Sequence, residues 1–234
     1  MIFKQFRLAD MGCASYLIGS EKSGQALVVD PGWEVEQYIK EAAEQNLRIT
    51  HIFETHLHAD HVSGNRRLAA QTGAAIYLHE AAGASFPHFP VLHGQTFELG
   101  EIRLRVLATP GHTWESITLL VEDTADPANP SKLLSGDALF IGDVGRPDFA
   151  GQEGAGTLYD SLRRVILPLP DETELYPAHL AGSLCGRNMS SATVSTLAHE
   201  KLTNVALQFT ERDEFVEYLT ADLPPAPPDF RRIV

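Results

Sequence analysis

Layered strands and helices, arranged as an α/β or α+β domain, are what this 234-residue sequence predicts, on three observations. Short apolar, β-branched runs recur through its first half, each stopped by a turn signal. Segments with helical spacing lie between and after them. The length suits one large domain, long enough to bury most of the surface its unfolded chain would expose. Periodicity by itself leaves α/β and α+β both open.

The elements follow in order. Ala26-Leu27-Val28-Val29-Asp30 is an apolar run stopped by Pro31-Gly32, the pattern of a buried strand ended by a turn. Residues 35–45 have helical spacing and no breaker. Residues 49–54 are β-branched and aromatic and predict a second strand. Residues 64–71 predict a helix and 75–78 a short strand. Residues 81–95, rich in Gly, Pro and His, predict a loop. Residues 96–107 alternate about Gly100 as a hairpin does. Strands are expected at 115–122 and 132–136, split by a polar, proline-containing stretch. A helix is expected at 157–166, a brief strand at 174–176 ending at Pro177, and helices at 191–202 and 211–219. The segment 12–16 lies near a first strand, and Cys13 within it reads as ordinary core.

Residues 1–220 form the expected catalytic domain, and 221–234 a Pro-rich tail. The stretch 222–229 holds four prolines, which favour an extended, semi-rigid linker.

A net charge of -13 argues against nucleic acid as the main partner and against an anionic membrane surface. No apolar run approaches the roughly 20 residues of a membrane helix. The opening residues lack a signal-peptide core, so the expected compartment is the cytoplasm. The two cysteines, Cys13 and Cys185, cannot form a disulfide scaffold.

The strongest chemical signal is His56-Leu57-His58-Ala59-Asp60-His61. His56 and His58 are two apart at a strand end, so their rings are expected to point the same way. Three imidazoles and a carboxylate so close together are costly to bury without a common partner, and a divalent cation is the natural one. Three further pieces stand at predicted strand ends: Pro110-Gly111-His112-Thr113, Ser135-Gly136-Asp137 and Pro177-Ala178-His179. Each alone is an ordinary turn. In this order they form a specific set.

That set resembles the metallo-β-lactamase superfamily over residues 12 to about 200, and the turn Val29-Asp30-Pro31-Gly32 matches the same pattern. The resemblance implies an αββα sandwich of the α/β class, with a metal site at the edge where two sheets meet. In the di-zinc hydrolases of the superfamily, His56, His58 and His112 would hold one metal. Asp60, His61 and His179 would hold the other, with Asp137 bridging. Glyoxalase II, a glutathione-thioester hydrolase, is of this kind. No C-terminal helical domain with clustered basic residues, such as glyoxalase II uses for glutathione, is evident.

The blocks 58–64, 135–140 and 145–148 are similar to those of persulfide dioxygenases. The block from Tyr176 to Ser190 resembles bacterial members fused to rhodanese domains. In that branch the metal is one Fe(II) per chain, and the resemblance assigns its ligands to His56, His112 and Asp137, a two-His, one-carboxylate triad. His58, Asp60, His61 and His179 would then support those ligands through hydrogen bonds. The implied substrates are a low-molecular-weight persulfide and O2. The implied partners are a rhodanese domain in the same natural chain and a second copy in a homodimer.

Arg146 is a candidate for a substrate carboxylate or, equally, for a pair with Asp143 or Asp148. Cys185 is a candidate sulfur carrier at the pocket mouth or a buried structural thiol. His51, His79, His88, His93 and His199 match no motif and read as surface or loop residues. A fragment with only a docking or sulfur-relay role is the third reading. The clustered ligand residues argue against it.

Overall fold

Alternating apolar residues along the strands build two stacked sheets. The computed structural model describes residues 1–8, 12–181, 183, 185–187, 189–221 and 223, with the backbone alone at 152. The first sheet holds β1 (Ile2–Leu8), β2 (Cys13–Ser20), β3 (Gln25–Val29), β4 (Arg48–Phe53), β5 (Ala75–His79) and β6 (Phe89–Val91), side by side in chain order. The second holds β7 (Thr96–Leu99), β8 (Ile102–Ala108), β9 (Ile117–Asp123), β10 (Lys132–Gly136), β11 (Glu174–Pro177) and β12 (Ser195–Thr196), again in chain order. β1 to β3 pair antiparallel and β3 to β6 parallel. In the second sheet only β10 and β11 are parallel.

Ala14, Tyr16 and Ile18 of β2 pack with Leu104, Val106, Leu119 and Val121 of the second sheet. Leu17, between them in sequence, packs instead with Tyr38, Ala42 and Leu68 on the helices α1 (Glu36–Glu44) and α2 (Asn65–Thr72). On the far side Leu107, Leu120 and Leu133 pack with Ala155, Leu158, Phe215 and Leu219. Those belong to α3 (Gly151–Ser161) and α5 (Arg212–Thr220), with α4 (Leu197–Thr203) beside them. Period-two alternation therefore serves three apolar layers, and the architecture is αββα. Each large side chain so buried contributes roughly 1.5–3 kcal/mol.

Four elements differ from expectation. β1 was not foreseen, because its apolar residues are interrupted by Lys4, Gln5 and Arg7; it is an edge strand, registered Ile2 to Gly19 and Leu8 to Cys13. β6 lies inside the expected loop and pairs Tyr77 with Phe89. The helix expected at 157–166 starts at Gly151 and continues past Ser161 as one π-helical segment, Leu162–Ile166. Glycine disfavours a helix interior, but Gly154 makes room for a neighbour: a Cβ there would lie 2.4 Å from the Pro147 carbonyl oxygen. Tertiary packing overrides propensity at that position. The helix expected from 191 begins at Leu197, where the Thr196 side chain accepts the His199 N–H at 3.2 Å as an N-cap.

Among the described residues no helix is long and apolar enough to cross a membrane. Apart from Ala221 and Leu223, the Pro-rich tail lies outside the described residues.

Candidate metal centre

The site forms where strand ends of the two sheets meet. β4 stops at Phe53, and residues 54–61 cross the seam as a loop. β8 leads to His112, β10 to Asp137 and β11 to His179. Gly136 lets β10 end against Thr55: its φ is +55°, and a Cβ there would lie 2.8 Å from Thr55 Cβ and Oγ1. Ile117 N–H donates to the Thr55 carbonyl at 2.8 Å. The second seam joins Cys13 to His179, with Ala14 N–H donating to Ala178 O and Leu180 N–H to Gly12 O, both at 2.7 Å.

His56, His112 and Asp137 converge, each buried, with one ligand atom apiece within 4.8 Å of the others. His112 Nε2 lies 3.4 Å and His56 Nε2 3.9 Å from Asp137 Oδ2. The opposite ring nitrogens are committed. His112 Nδ1–H donates to the Arg146 carbonyl at 2.8 Å. The Thr55 hydroxyl donates to Asp30 Oδ2 at 2.8 Å, so its oxygen accepts from His56 Nδ1 at 3.0 Å. These bonds put the proton on Nδ1 and leave the Nε2 lone pairs facing Asp137. Burial, before any other cause, pushes the pKa of both imidazoles below the usual histidine range, well below for His56. Both are therefore neutral ligands at neutral pH.

Asp137 Oδ1 is met by His179 Nδ1 at 2.6 Å. Its other oxygen, Oδ2, is buried without a hydrogen-bond partner. A buried carboxylate oxygen in that condition is costly, and two neutral imidazole nitrogens aimed at it make the donor set of a divalent cation. The residues fit a metal. His179 also meets Asp60 Oδ2 at 2.7 Å through Nε2. Burial alone would lower the His179 pKa, but Asp137 holds it well above the ordinary value, so the ring is an imidazolium bridging two carboxylates.

His58 does not point with His56. Its Nε2 lies 3.2 Å from both Asp30 Oδ1 and Glu54 Oε2, without a well-aligned hydrogen bond to either. The expected common direction rested on strand periodicity, and that lapses because β4 ends before His56. Burial opposes charge on His58, yet Asp30 and then Glu54 raise its pKa well above the histidine range. A further group is Cys13, Asp60, His61 and His179, again within 4.8 Å of one another. His61 Nδ1 is 3.0 Å from Asp60 Oδ1.

Cys13 is thus not ordinary core: its thiol stands 3.5 Å from Asp60 Oδ2. Burial would raise its pKa, but His179 and His61 bring it below the ordinary thiol value. Asp30, Glu54, Thr55 and Cys13 were all missed as site residues. Asp30 and Glu54 had a readable signal, since acids at the ends of two adjacent apolar strands need a cation if they are buried.

Arg146 and Cys185 sit together but not on a substrate pocket. The cavity they line with Val144 and Leu219 is about 10 Å³, too small for any persulfide. The Arg146 fork meets Asp148 at 2.7 and 2.8 Å, so its charge serves an internal pair. Cys185 is 3% exposed, and burial pushes its thiol up. The sulfur-carrier role therefore loses its physical basis, since a carrier needs an accessible thiolate. In the folded protein Cys185 is expected to resist alkylation by iodoacetamide at neutral pH, and Cys185→Ser to keep turnover within a few-fold. Mass spectrometry and steady-state rates check both.

None of the other histidines joins the ligand groups. His51 is not in a loop but on β4, stacked 5.3 Å from the Tyr77 ring. His79 accepts from Ala81 N–H, His93 accepts from Ala108 N–H, and His199 is exposed.

A cavity of about 600 Å³ opens beside His56, His58 and His61 and runs past Leu57 and Val62 to Arg66 and the segment 82–86. That is a volume suited to a small-molecule ligand.

Residues 8–179 match the metallo-beta-lactamase superfamily. The chain is 33% identical over 211 residues to the persulfide dioxygenase ETHE1, mitochondrial, of Homo sapiens, covering 88% of this chain and 75% of that protein. It is 34% identical over 168 residues to a hydroxyacylglutathione hydrolase of Nitrosococcus oceani, covering 70% of this chain and 61% of the hydrolase. The solved structure of ETHE1 from Myxococcus xanthus superposes with a TM-score of 0.87 at 36% identity, covering all of this chain and 96% of that one.

Proposed function

This chain belongs to the metallo-beta-lactamase superfamily, and from that premise we propose that it is a mononuclear iron persulfide dioxygenase. The observation that carries the reading is the separation of the ligand residues. His56, His112 and Asp137 form one group, while His58 is turned to Asp30 and Glu54. A two-metal arrangement would need a His58 ring nitrogen to join those of His56 and His112; its ring lies 4.2 Å from that of His56, but its Nε2 faces Asp30 and Glu54. Two imidazoles and one carboxylate leave sites open for other ligands, as non-haem Fe(II) oxygenases require.

A ferrous ion held there would supply the open-shell centre that O2 needs to react with a closed-shell sulfur anion. The protein supplies the rest. The Arg146 carbonyl and the Thr55 hydroxyl hold the two rings in the ligating tautomer. The His179 imidazolium, fixed by Asp60, keeps Asp137 oriented by its Oδ1 and leaves Oδ2 free. The cavity admits the persulfide beside His56. The net conversion is R–S–S⁻ + O2 + H2O to R–SH + HSO3⁻. The outer sulfur is oxidised, O2 is reduced, and the S–S bond is cleaved, with the water protons shared between thiol and sulfite.

A di-zinc thioester hydrolase is the second reading. Its support is the convergence of Asp60, His61 and His179 next to Asp137, together with the hydrolase relative. Metal content after expression with iron under low oxygen, followed by O2 consumption on adding glutathione persulfide, separates the two. Iron at one per chain with persulfide-dependent uptake and sulfite formation is the expected result. Zinc at two per chain, no uptake, and hydrolysis of S-lactoylglutathione would overturn it.

A further inference from the structure

The cavity beside the metal ligands has one guanidinium on its wall, beside the histidines of the metal loop. Of its lining residues, three are histidines of the metal loop and one, Glu54, is an acid already turned to His58 and the Ser63 hydroxyl. Arg66, in the first turn of α2, is the only Lys or Arg lining it among the described residues.

Two adjacent arginines at this point have different fates. Arg67 pairs with Glu36 at 2.5 Å and lies over the Trp33 ring at 5.5 Å. Arg66 has no carboxylate partner among the described residues, and its guanidinium lies 5.9 Å from the centre of the Phe86 ring. Phe86 belongs to the same cavity wall. An aromatic face holds a guanidinium in place and leaves its N–H fork for a planar anion. In a chain of net charge -13, an anionic ligand needs such a local cation to enter. Ala82, Gly83, Ala84 and Ser85, which line the same cavity, are all small, so the space is kept open.

We infer that Arg66 is the specificity residue for the carrier end of the substrate, and that this end bears a carboxylate. The sulfur end lies at His56 and the carboxylate on the Arg66 fork, with the Phe86 ring against the guanidinium. This rests on the persulfide reading for the identity of the reacting group, not for the position of the anion. Arg66 positions the carrier and takes no part in the oxidation.

The test compares two persulfides on the iron-loaded protein: glutathione persulfide, which carries carboxylates, and 2-hydroxyethyl persulfide, which is neutral. Arg66→Ala is expected to raise KM for glutathione persulfide about tenfold with kcat nearly unchanged, the loss of one charge-assisted contact. KM for the neutral persulfide stays put. Arg66→Lys restores part of the loss, and Arg67→Ala changes neither. Equal effects of Arg66→Ala on both carriers, or no effect on either, would overturn the inference. Calorimetric titration of metal-loaded protein with glutathione itself gives a readout without turnover. Weaker binding to Arg66→Ala than to wild type supports the site even if no O2 is consumed, in which case only the dioxygenase reading fails. Equal binding overturns the site.

Discussion

Asp137→Asn is expected to abolish stoichiometric metal binding and to lower turnover by about 10³-fold or more. The two oxygens of Asp137 have separate tasks. Oδ1 accepts from His179 at 2.6 Å, and Oδ2 is the buried oxygen without a partner toward which His56 and His112 turn. An amide of the same shape can still accept from His179 but offers no anionic ligand. Loss of an outer partner of a metal ligand typically costs 10–100-fold in affinity or activity, so loss of the ligand itself exceeds that. The fold should survive, because the volume is kept and a costly unpaired anion is removed. The measurements are metal per chain, turnover, and thermal midpoint against chelated wild type. A variant with one metal per chain and near-normal turnover would remove Asp137 from the ligand set. His112→Ala should act in the same direction, with the added loss of the bond to Arg146 O.

The largest loss of stability is expected from Asp30→Ala, about 3–5 kcal/mol. The Asp30 carboxylate accepts the Thr55 N–H at 2.7 Å and the Thr55 hydroxyl at 2.8 Å, and faces His58 Nε2 at 3.2 Å. Asp30 is 3% exposed and Thr55 1%. Alanine would leave a buried N–H and a buried hydroxyl without their acceptor, and the buried His58 ring facing Glu54 alone. The backbone adds to this. Asp30 has φ +50°, a region that Asp tolerates better than Ala. The effect should appear as a lower urea midpoint with an unchanged slope. A shift worth less than about 1 kcal/mol would mean that the loop rests on its other contacts. The same change frees the Thr55 hydroxyl to rotate, so the tautomer of His56 loses its restraint and metal affinity should fall as well.

Much of this was legible in the chain. The run from Ala26 to Asp30 is apolar enough to be a buried strand, and Pro31-Gly32 must end it. Alternation about Gly100 specifies a hairpin, and the register Leu99 to Ile102 follows. His56, His112 and Asp137 stand among seven candidate ligands because each follows an apolar run and is itself too polar to continue it; the family resemblance singled out these three. What hid β1 was its edge position: Ile2 and Phe6 pack on the helix side and Phe3 on the inter-sheet side, and Lys4, Gln5 and Arg7 interrupt both faces. What hid the start of α3 was glycine, whose weak intrinsic preference for helix gave way to close packing against the Pro147 carbonyl.

By itself the sequence determined most of the strands and helices and the kinds of ligand, while the layer order was only implied by the family resemblance: alternation and helical spacing are local, and imidazoles with carboxylates at strand ends carry their chemistry wherever they lie. The tertiary structure alone decided which of those ligands share an ion. His56 and His58 are two residues apart, yet one meets Asp137 from the far sheet and the other meets Asp30 from its own. Cys13 reaches Asp60, 47 residues along the chain, because β2 and β11 are stitched together at the seam. Arg146 is spoken for by Asp148, whereas Arg66 is left facing the cavity. The physical reason is common to all of these: a side chain's partner is set by which strand ends the packing brings within about 4 Å, and that distance is a property of the assembled sheets.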